Sequence, residues 1–236
     1  MKYLSAIVLF ILITQTCLGQ KLQFGMGVPL SEREYYPAVA QIDSVVIYRR
    51  DYYGKGEFTP FVRFTMPLYK NISLSGGLTY CSTSAGITAY KQLGPNSRTA
   101  ATGTLAGLRS FECPVLVHYA PFGESDFSIS VFAGIIPVFA TVTFDARYQA
   151  LENPMNRPQE VADVLNKAGT LPKRFYTDYQ YGANVSYKRF GLDVFIQQNL
   201  TSNINNNLKI WDQEALFTRK TESLRLLLSY TIPLGN

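Results

Sequence analysis

Apolar and polar residues alternate along positions 175–188, and this pattern limits the possible folds more than any other feature of the chain. The odd positions from Phe175 to Tyr187 are mostly aromatic or aliphatic, while the even positions from Asp178 to Lys188 are polar or glycine. A period of two places successive side chains on opposite faces of a strand. The segment therefore predicts a long β-strand with two unlike faces.

Seven further segments show the same alternation. In the last of them, Leu224, Leu226 and Leu228 share one face, while Ser223 and Arg225 lie on the other. Each segment is close to the 9 to 11 residues, roughly, that a tilted strand needs to cross a membrane. The predicted strands besides 175–188 are 21–30, 58–68, 72–83, 108–120, 126–140, 190–201 and 222–234.

Short and long connections alternate between these strands. The short links lie at 69–71, at 121–125 and around Arg189, and the long links are 31–57, 84–107, 141–173 and 202–221. Outer-membrane barrels have this order, with tight periplasmic turns and longer external loops, whereas a soluble sandwich has no reason to keep it. The sequence therefore predicts an all-β fold, an eight-stranded antiparallel up-and-down transmembrane β-barrel.

The composition of the two faces agrees with a membrane barrel. Charged residues make up 17% of the chain and aromatic residues 14%. One face is rich in Leu, Val, Phe and Tyr, which suit lipid, and the other in Gly, Ser, Thr, Asn and Gln, which suit a hydrogen-bonded interior. Aromatic residues near the strand ends predict a periplasmic girdle of Tyr69, Tyr119, Phe122, Tyr187, Phe190 and Tyr230, and an outer girdle of Tyr80, Phe139, Phe144 and Phe175.

The first residues are typical of an export signal. Lys2 precedes the apolar run 6–13, and Cys17-Leu18-Gly19 offers a cleavage site between small residues. Residues 1–19 are thus predicted to be a signal peptide and residues 20–236 an outer-membrane β-barrel domain, located in the cell outer membrane of a Gram-negative envelope. Thr16 before Cys17 is a poor match to a lipoprotein signal, so lipid anchoring is disfavoured.

Charge and cysteine content exclude several classes of protein. The net charge of +5 is spread along the chain, which disfavours a nucleic-acid partner. The mature part has only Cys81 and Cys113, which the strand pattern points to opposite faces, and we expect two free thiols.

Charged residues on the predicted interior face form the candidate functional site. Counted along the strands, Arg63, Glu112 and Arg225 fall near mid-height, and Asp193 is a further candidate member of this lumen charge network. The network could be a gate that rearranges to pass a small solute, or a permanent polar plug. The plug is favoured, because eight strands leave an interior just wide enough for side chains. The interior charges are Arg63, Glu112, Asp178, Lys188, Asp193 and Arg225.

An enzyme is not expected, and neither is a cofactor, a metal or a catalytic residue. The single histidine, His118, lies near the periplasmic end of its strand, and the sequence lacks a nucleophile elbow, a phosphate loop and metal-spaced ligands. His118 is interpreted as an interfacial or lumen-packing residue. A soluble lipocalin-like barrel is an alternative, because five apolar residues fall on the interior face: Phe61, Leu116, Phe132, Phe195 and Leu227.

The third long connection carries a helix signature. Pro158 can occupy the first turn, Val161, Val164, Leu165 and Ala168 follow at helical spacing, and Gly169 can end the helix. A structural cap on the loop is favoured over a lid. The Asn-rich stretch 203–207 is expected to be only a flexible polar tip.

The segment Phe111–Tyr119 resembles a strand of the PorT-like outer-membrane β-barrel proteins, in which Glu, Pro and Tyr stand where this chain has Glu112, Pro114 and Tyr119. Cys113 replaces the family's usual aliphatic residue and His118 its usual Lys. Weaker similarity continues to the closing strand. The resemblance implies an eight-stranded outer-membrane barrel, in a family whose members are reported as secretion-system parts, passive channels or proteins without an assigned role.

The expected partners follow from this location. Outer-membrane lipid and lipopolysaccharide would surround the barrel, and the external loops could bind other envelope or secretion proteins or a surface glycan. The function predicted is that of a non-enzymatic structural, surface-interaction or secretion-associated barrel with a plugged polar interior. A narrow passive channel for small or apolar solutes is the alternative.

Overall fold

The computed structural model describes residues 19–36, 39–52, 58–94, 97–122, 126–141, 145–147, 159–204, 207–217 and 220–234. The predicted signal peptide, except for Gly19, lies outside these residues. Within the described ranges, no helix is long and apolar enough to span a membrane.

The described residues form fourteen β-strands and one helix. The strands are β1 (Lys21–Tyr36), β2 (Val39–Ile42), β3 (Val45–Tyr52), β4 (Thr59–Tyr69), β5 (Ile72–Gly94), β6 (Ser97–Glu112), β7 (Val115–Tyr119), β8 (Phe127–Thr141), β9 (Asp145–Arg147), β10 (Phe175–Tyr187), β11 (Phe190–Asn199), β12 (Asn207–Ile210), β13 (Gln213–Leu216) and β14 (Lys220–Pro233), and the helix is α1 (Gln159–Gly169).

Antiparallel pairing closes these strands into a barrel. The order around the wall is β1, β4, β5, β6 with β7, β8, β10, β11 and β14, and β14 returns to β1. Lys21 pairs with Pro233 and Gln20 accepts a backbone hydrogen bond from Leu234 at 2.8 Å, which joins the first strand to the last. Counting β6 and β7 as one wall strand, the predicted eight-stranded up-and-down barrel is confirmed.

The wall strand made of β6 and β7 is interrupted at Cys113 and Pro114. Proline has no N–H to donate to a neighbouring strand, so it is tolerated in a sheet only at irregular positions. Here the neighbours compensate: Cys113 N donates to Pro137 O at 2.9 Å, and Gly77 N donates to Pro114 O at 3.1 Å. The wall therefore remains hydrogen-bonded across the interruption.

The short turns lie at one end of the barrel, the periplasmic end. Lys70 and Lys188 occupy two of them with φ angles of 37° and 54°. The turn between β7 and β8 includes the residues 123–125, which lie outside the described part of the chain. The predicted alternation of short periplasmic turns with long external connections is confirmed.

The outer surface of the barrel is apolar. Exposed side chains such as Val117, Ile135 and Leu228 follow the strands at every second position. All of the predicted periplasmic girdle residues are exposed or half-buried, and so are Tyr80, Phe139 and Phe175 of the outer girdle; Phe144 lies outside the described residues. An apolar outer face on a closed sheet suits hydrocarbon and not water, so the molecule is an outer-membrane β-barrel.

The long connections contain far more regular structure than predicted. Strand β1 continues to Tyr36 and β5 to Gly94, and β6 begins at Ser97, so 84–107 is largely strand and not loop. These extensions pair with each other and with the hairpin β2–β3, which supplies their hydrogen bonds. The predicted helix is confirmed from Gln159 to Gly169, while Pro158 is outside the described residues.

A separate hydrophobic core lies beyond the external end of the barrel. We call the structure around it the external cap: β2, β3, the outer part of β5, α1 and the hairpin β12–β13. Ile204 is buried in this core and Asn207 begins β12, so these two residues are not part of a flexible tip as expected; residues 205 and 206 lie outside the described part of the chain. The core consists of Ala40, Ile42, Val45, Ile47, Ile87, Ala89, Val161, Val164, Leu165, Ala168, Leu171, Ile204, Leu208, Ile210 and Phe217.

Candidate functional site

The lumen contains an ion pair on its external side, which we call the upper ion pair. Arg225 Nη1 on β14 donates to both Glu112 carboxylate oxygens at 3.0 Å. The two side chains are 16% and 7% exposed. Gln197 Nε2 also donates to Glu112 Oε1 at 3.3 Å, and to Asp178 Oδ2 at 2.8 Å. Asn199 Nδ2 donates to the other Asp178 oxygen at 2.7 Å, so two carboxylates share one amide-rich layer.

A second ion pair, the lower ion pair, lies toward the periplasm. Arg63 Nη1 on β4 donates to Asp193 Oδ2 at 2.7 Å, with side chains 4% and 1% exposed. Asn184 donates to the other carboxylate oxygen of Asp193. The structure thus brings Glu112 to Arg225 and Arg63 to Asp193, and it divides the four candidate residues between two layers.

Five apolar side chains lie between the two pairs and form what we call the apolar collar. The positions along the strands fix this order: on β11 the sequence from the periplasmic end is Asp193, Phe195, Gln197, with alternate residues facing inward. The Arg63 guanidinium carbon lies 5.4 Å and 5.9 Å from the ring centres of Phe61 and Phe132. The predicted interior residues form this collar, and all are buried: Phe61, Leu116, Phe132, Phe195 and Leu227.

Glycines opposite the large collar residues allow them to fit in so narrow a barrel. A Cβ on Gly182 would lie 2.5 Å from the Phe195 Cβ, and one on Gly27 would lie 1.9 Å from a Leu227 methyl. Pairing large with small residues fills the interior of a small barrel without a void. The collar residues therefore pack closely against the wall between the two polar layers.

Asp178 and Lys188 were both predicted to be interior charges, but only one of them is buried. Asp178 is buried in the upper layer. Lys188 was expected in the interior but lies exposed at the turn after β10, with its ammonium 5.4 Å from the centre of the Tyr187 ring. The left-handed backbone at Lys188 takes this residue out of the alternation of the strand. Reading every second residue therefore assigned its side chain to the interior wrongly.

The amides Gln197 and Asn184 were missed as partners of the charged residues. Gln197 shares the inward face of β11 with Asp193, and Asn184 pairs in register with Asp193 across β10 and β11. The period-two pattern places both on the inward face. Their partners depend on the register between strands, which that pattern does not contain.

His118 is buried inside the lower half of the barrel. Its Nε2 lies 2.7 Å from Ser75 Oγ, and its ring lies 5.2 Å from the ring of Phe132. A serine beside a histidine has the spacing of a nucleophile and base. Ser75 is only 1% exposed, however, so this hydroxyl fixes the imidazole in the wall and is not accessible to a substrate.

The two cysteines are free thiols, as predicted. Cys81 is buried in the lumen, 3.7 Å from Arg225 Nη1, and Cys113 is half-buried at the interruption of the wall. Among the described residues, no group of three or more His, Cys, Asp or Glu side chains is positioned to hold a metal ion.

The residues that carry the family resemblance occupy three different environments. Glu112 lies in the upper ion pair, Pro114 is buried at the wall interruption, and Tyr119 is exposed in the periplasmic girdle. The first two therefore set the shape and charge of the interior. Tyr119 faces the lipid interface.

The chain resembles known proteins only in its fold. No family model matches the chain, and no curated protein matches its sequence. Among solved structures, Neisserial surface protein A matches with a TM-score of 0.41 at 11% identity, covering 90% of this chain and 97% of that one. The attachment invasion locus protein Ail of Yersinia pestis matches with a TM-score of 0.29 at 10% identity, covering 91% and 99%.

A third structure, the CymD monoaromatic hydrocarbon channel, matches with a TM-score of 0.21 at 10% identity, covering 95% of this chain and 91% of that chain. These similarities are too weak to transfer a property from those proteins to this chain. The class of the protein rests on its own closed sheet and apolar outer face: it is an integral outer-membrane β-barrel.

Proposed function

We propose that this protein is a sealed, non-enzymatic membrane anchor that displays a folded external cap for binding at the cell surface. The observation that carries the proposal is the order of layers in the lumen. An ion pair, an apolar collar and a second ion pair follow one another along the axis.

The energetics of these layers support a permanent seal over a gate. Separating a buried ion pair leaves an uncompensated charge in a poorly solvated place, which costs about 3 to 5 kcal/mol. Opening this lumen would require separating two such pairs and displacing the collar. A passive channel is therefore the weaker candidate. A soluble lipocalin-like barrel conflicts with the apolar outer face, which would be exposed to water.

The external cap supports the role in binding. Its core holds the hairpins and the helix in fixed positions, and Asp43 N donates to Gln213 Oε1 at 2.9 Å across two of its turns. Trp211 and Leu216 remain exposed on the hairpin β12–β13. Exposed large apolar residues on an otherwise folded surface are typical of interaction sites. The candidate occupants are other envelope proteins, secretion proteins or surface glycans.

Single-channel recording in planar bilayers tests the seal. We expect the wild-type protein to insert without discrete conductance steps. The variants Glu112→Gln and Arg225→Ala break the upper ion pair, and Glu214→Gln on the external hairpin β12–β13 is the matched control. Regular openings of the wild-type protein, abolished or altered by the first two variants and unchanged by the control, would establish a channel instead.

Cysteine labelling tests the display of the cap. Lys209→Cys lies on the external hairpin, and Lys70→Cys on a short turn at the other end. A membrane-impermeant maleimide should label Lys209→Cys on intact cells and Lys70→Cys only after lysis. The reverse result would refute the proposed orientation, and the unsubstituted protein gives the background from Cys81 and Cys113.

The export signal and the PorT-like relationship are part of the same proposal. Strand β1 begins at Lys21, the second residue of the proposed mature chain, which supports removal of residues 1–19. N-terminal sequencing of protein isolated from the outer membrane should begin at Gln20. The Glu112 and Pro114 positions support the PorT-like assignment and a secretion-associated partner for the cap.

A further inference from the structure

The periplasmic end of the lumen contains a cavity that the proposed seal does not use. It encloses about 380 Å³ below the lower ion pair, and we call it the periplasmic vestibule. Its volume falls in the range of about 300 to 1,000 Å³ that is usual for small-molecule sites. Its wall combines apolar residues such as Ile72 and Pro233 with polar ones such as Gln23, Thr65, Ser130 and Thr231.

The charged side chains that line the vestibule, among the described residues, are all positive. Among the described residues the lining includes Lys21, Arg63, Lys70, Lys188 and Arg189, and it includes no Asp or Glu. Two carboxylates lie nearby: Asp193, which holds Arg63, is behind the wall of the cavity, and Asp126 is exposed at a neighbouring turn. Lys70, Lys188 and Arg189 at the mouth, with Arg63 deeper in the recess, give the vestibule a positive potential, which attracts anions.

Arg63 supplies the second, independent observation. Its side chain is 4% exposed and lines the vestibule, and its Nε has no hydrogen-bond partner. A buried N–H of a charged group without an acceptor is costly, so such groups usually have a ligand or an ordered partner. Arg63 thus places a guanidinium charge at the inner end of the cavity.

We propose that the periplasmic vestibule binds a phosphate-bearing anion, with Arg63 at its inner end and Lys70, Lys188 and Arg189 at its rim. A phosphate group has several acceptor oxygens and accepts charge-assisted hydrogen bonds from guanidinium and ammonium groups. The serine and threonine hydroxyls around the wall add neutral donors. A carboxylate, with two oxygens, would use fewer of them.

Two sources could provide this phosphate. A soluble phosphorylated metabolite could enter from the periplasm, or a phospholipid of the inner leaflet could fold its headgroup over the rim. The exposed aromatic residues Tyr69, Tyr187 and Phe190 place the rim at the level of lipid headgroups. Both sources present the same chemistry to the vestibule.

Calorimetric titration of the full-length barrel with inorganic pyrophosphate tests the site. The protein is prepared once in an uncharged sugar detergent and once in nanodiscs of phosphatidylglycerol. Binding in detergent is expected in either case. Binding that persists in nanodiscs identifies a soluble ligand, and binding that disappears there identifies the lipid headgroup as the occupant.

The variant Lys70→Asn with Lys188→Asn removes two rim charges. Asparagine tolerates the left-handed backbone at both positions, so the turns should fold. We expect about ten-fold weaker binding of pyrophosphate, as loss of two exposed charge contacts predicts. The matched control, Lys209→Asn with Lys220→Asn, removes two exposed charges from the external side and should bind like the wild type.

Two results would overturn the proposal. One is the absence of pyrophosphate binding in detergent, and the other is equal weakening in the rim variant and in the control, which would indicate only the net charge of the protein. Neither result bears on the seal, because conductance and surface labelling are measured without pyrophosphate.

Discussion

The lumen and the external cap of this protein are stabilised by opposite kinds of interior. Inside the barrel, charged and amide side chains are buried around a small apolar collar, and the apolar residues of the strands face outward. In the cap, the buried core is continuous and apolar, and the polar residues face outward. The difference follows from the solvent, because lipid surrounds one region and water the other.

The comparison also shows what each region can do. A polar interior in a closed wall depends on specific partners, since a half-satisfied buried network is costly. An apolar core tolerates more variation, provided that volume and pattern are kept. The barrel is therefore expected to be intolerant of change inside, while the outer surface of the cap is free to vary with its partner.

The largest loss of stability is expected when the upper ion pair is broken. Glu112→Gln leaves Arg225 charged and without its carboxylate, which should cost about 3 to 5 kcal/mol of unfolding free energy. Urea titration in detergent, followed by heat-modifiable migration on gels, measures the folded barrel. Replacing both residues with apolar ones, Glu112→Leu with Arg225→Met, should recover most of the loss. A single variant as stable as the wild type would show that the pair does not stabilise the lumen.

Truncating a side chain in the core of the cap should cause the second-largest loss of stability, and the loss should be confined to the cap. Leu165 on α1 is fully buried, so Leu165→Ala should destabilise the cap by about 2 to 5 kcal/mol. Trp211, the single tryptophan, reports on the cap by fluorescence, while gel migration reports on the barrel. The fluorescence transition should shift and the gel transition should not. A common shift would mean that the two regions unfold as one unit.

Two equally exposed valines allow the cost of an added charge to be compared between lipid and water. Val117, on the lipid-facing side of the wall two residues from Tyr119, and Val39, on the cap, are each 50% exposed. Val117→Arg should cost about 1 to 3 kcal/mol, because it puts a charge into lipid between the midplane and the interface. Val39→Arg should change stability by about 0.5 kcal/mol or less, because water solvates it. Urea titration measures both, and equal costs would contradict a lipid-facing position for Val117.

Among the substitutions that break an ion pair, the smallest loss of stability is expected in the cap. Lys91 Nζ lies 2.5 Å from Glu160 Oε2, and these side chains are 24% and 45% exposed. Partly solvated pairs contribute little, so Glu160→Gln should cost about 1 kcal/mol or less by Trp211 fluorescence. A cost near that of Glu112→Gln would remove the distinction between buried and exposed pairs on which the comparison depends.

The alternation of apolar and polar residues predicted much of the barrel, because this alternation is a local property of each strand. The number of wall strands, the apolar outer face and the five inward apolar residues could be predicted this way. The pattern failed at Lys188, where a left-handed turn residue leaves the strand geometry. It also failed beyond Thr83, where Ala, Gly and Thr residues alternate weakly.

Each strand carries its own alternation of apolar and polar residues, so the barrel and the two faces of its wall could be predicted from local patterns along the chain. The pairing of Arg225 with Glu112 and of Arg63 with Asp193 depends on strand register and barrel closure, so it became visible only in the folded molecule. The tertiary structure also decided that 84–107 is largely strand, because hydrogen bonds from neighbouring strands stabilise a segment whose own pattern is weak.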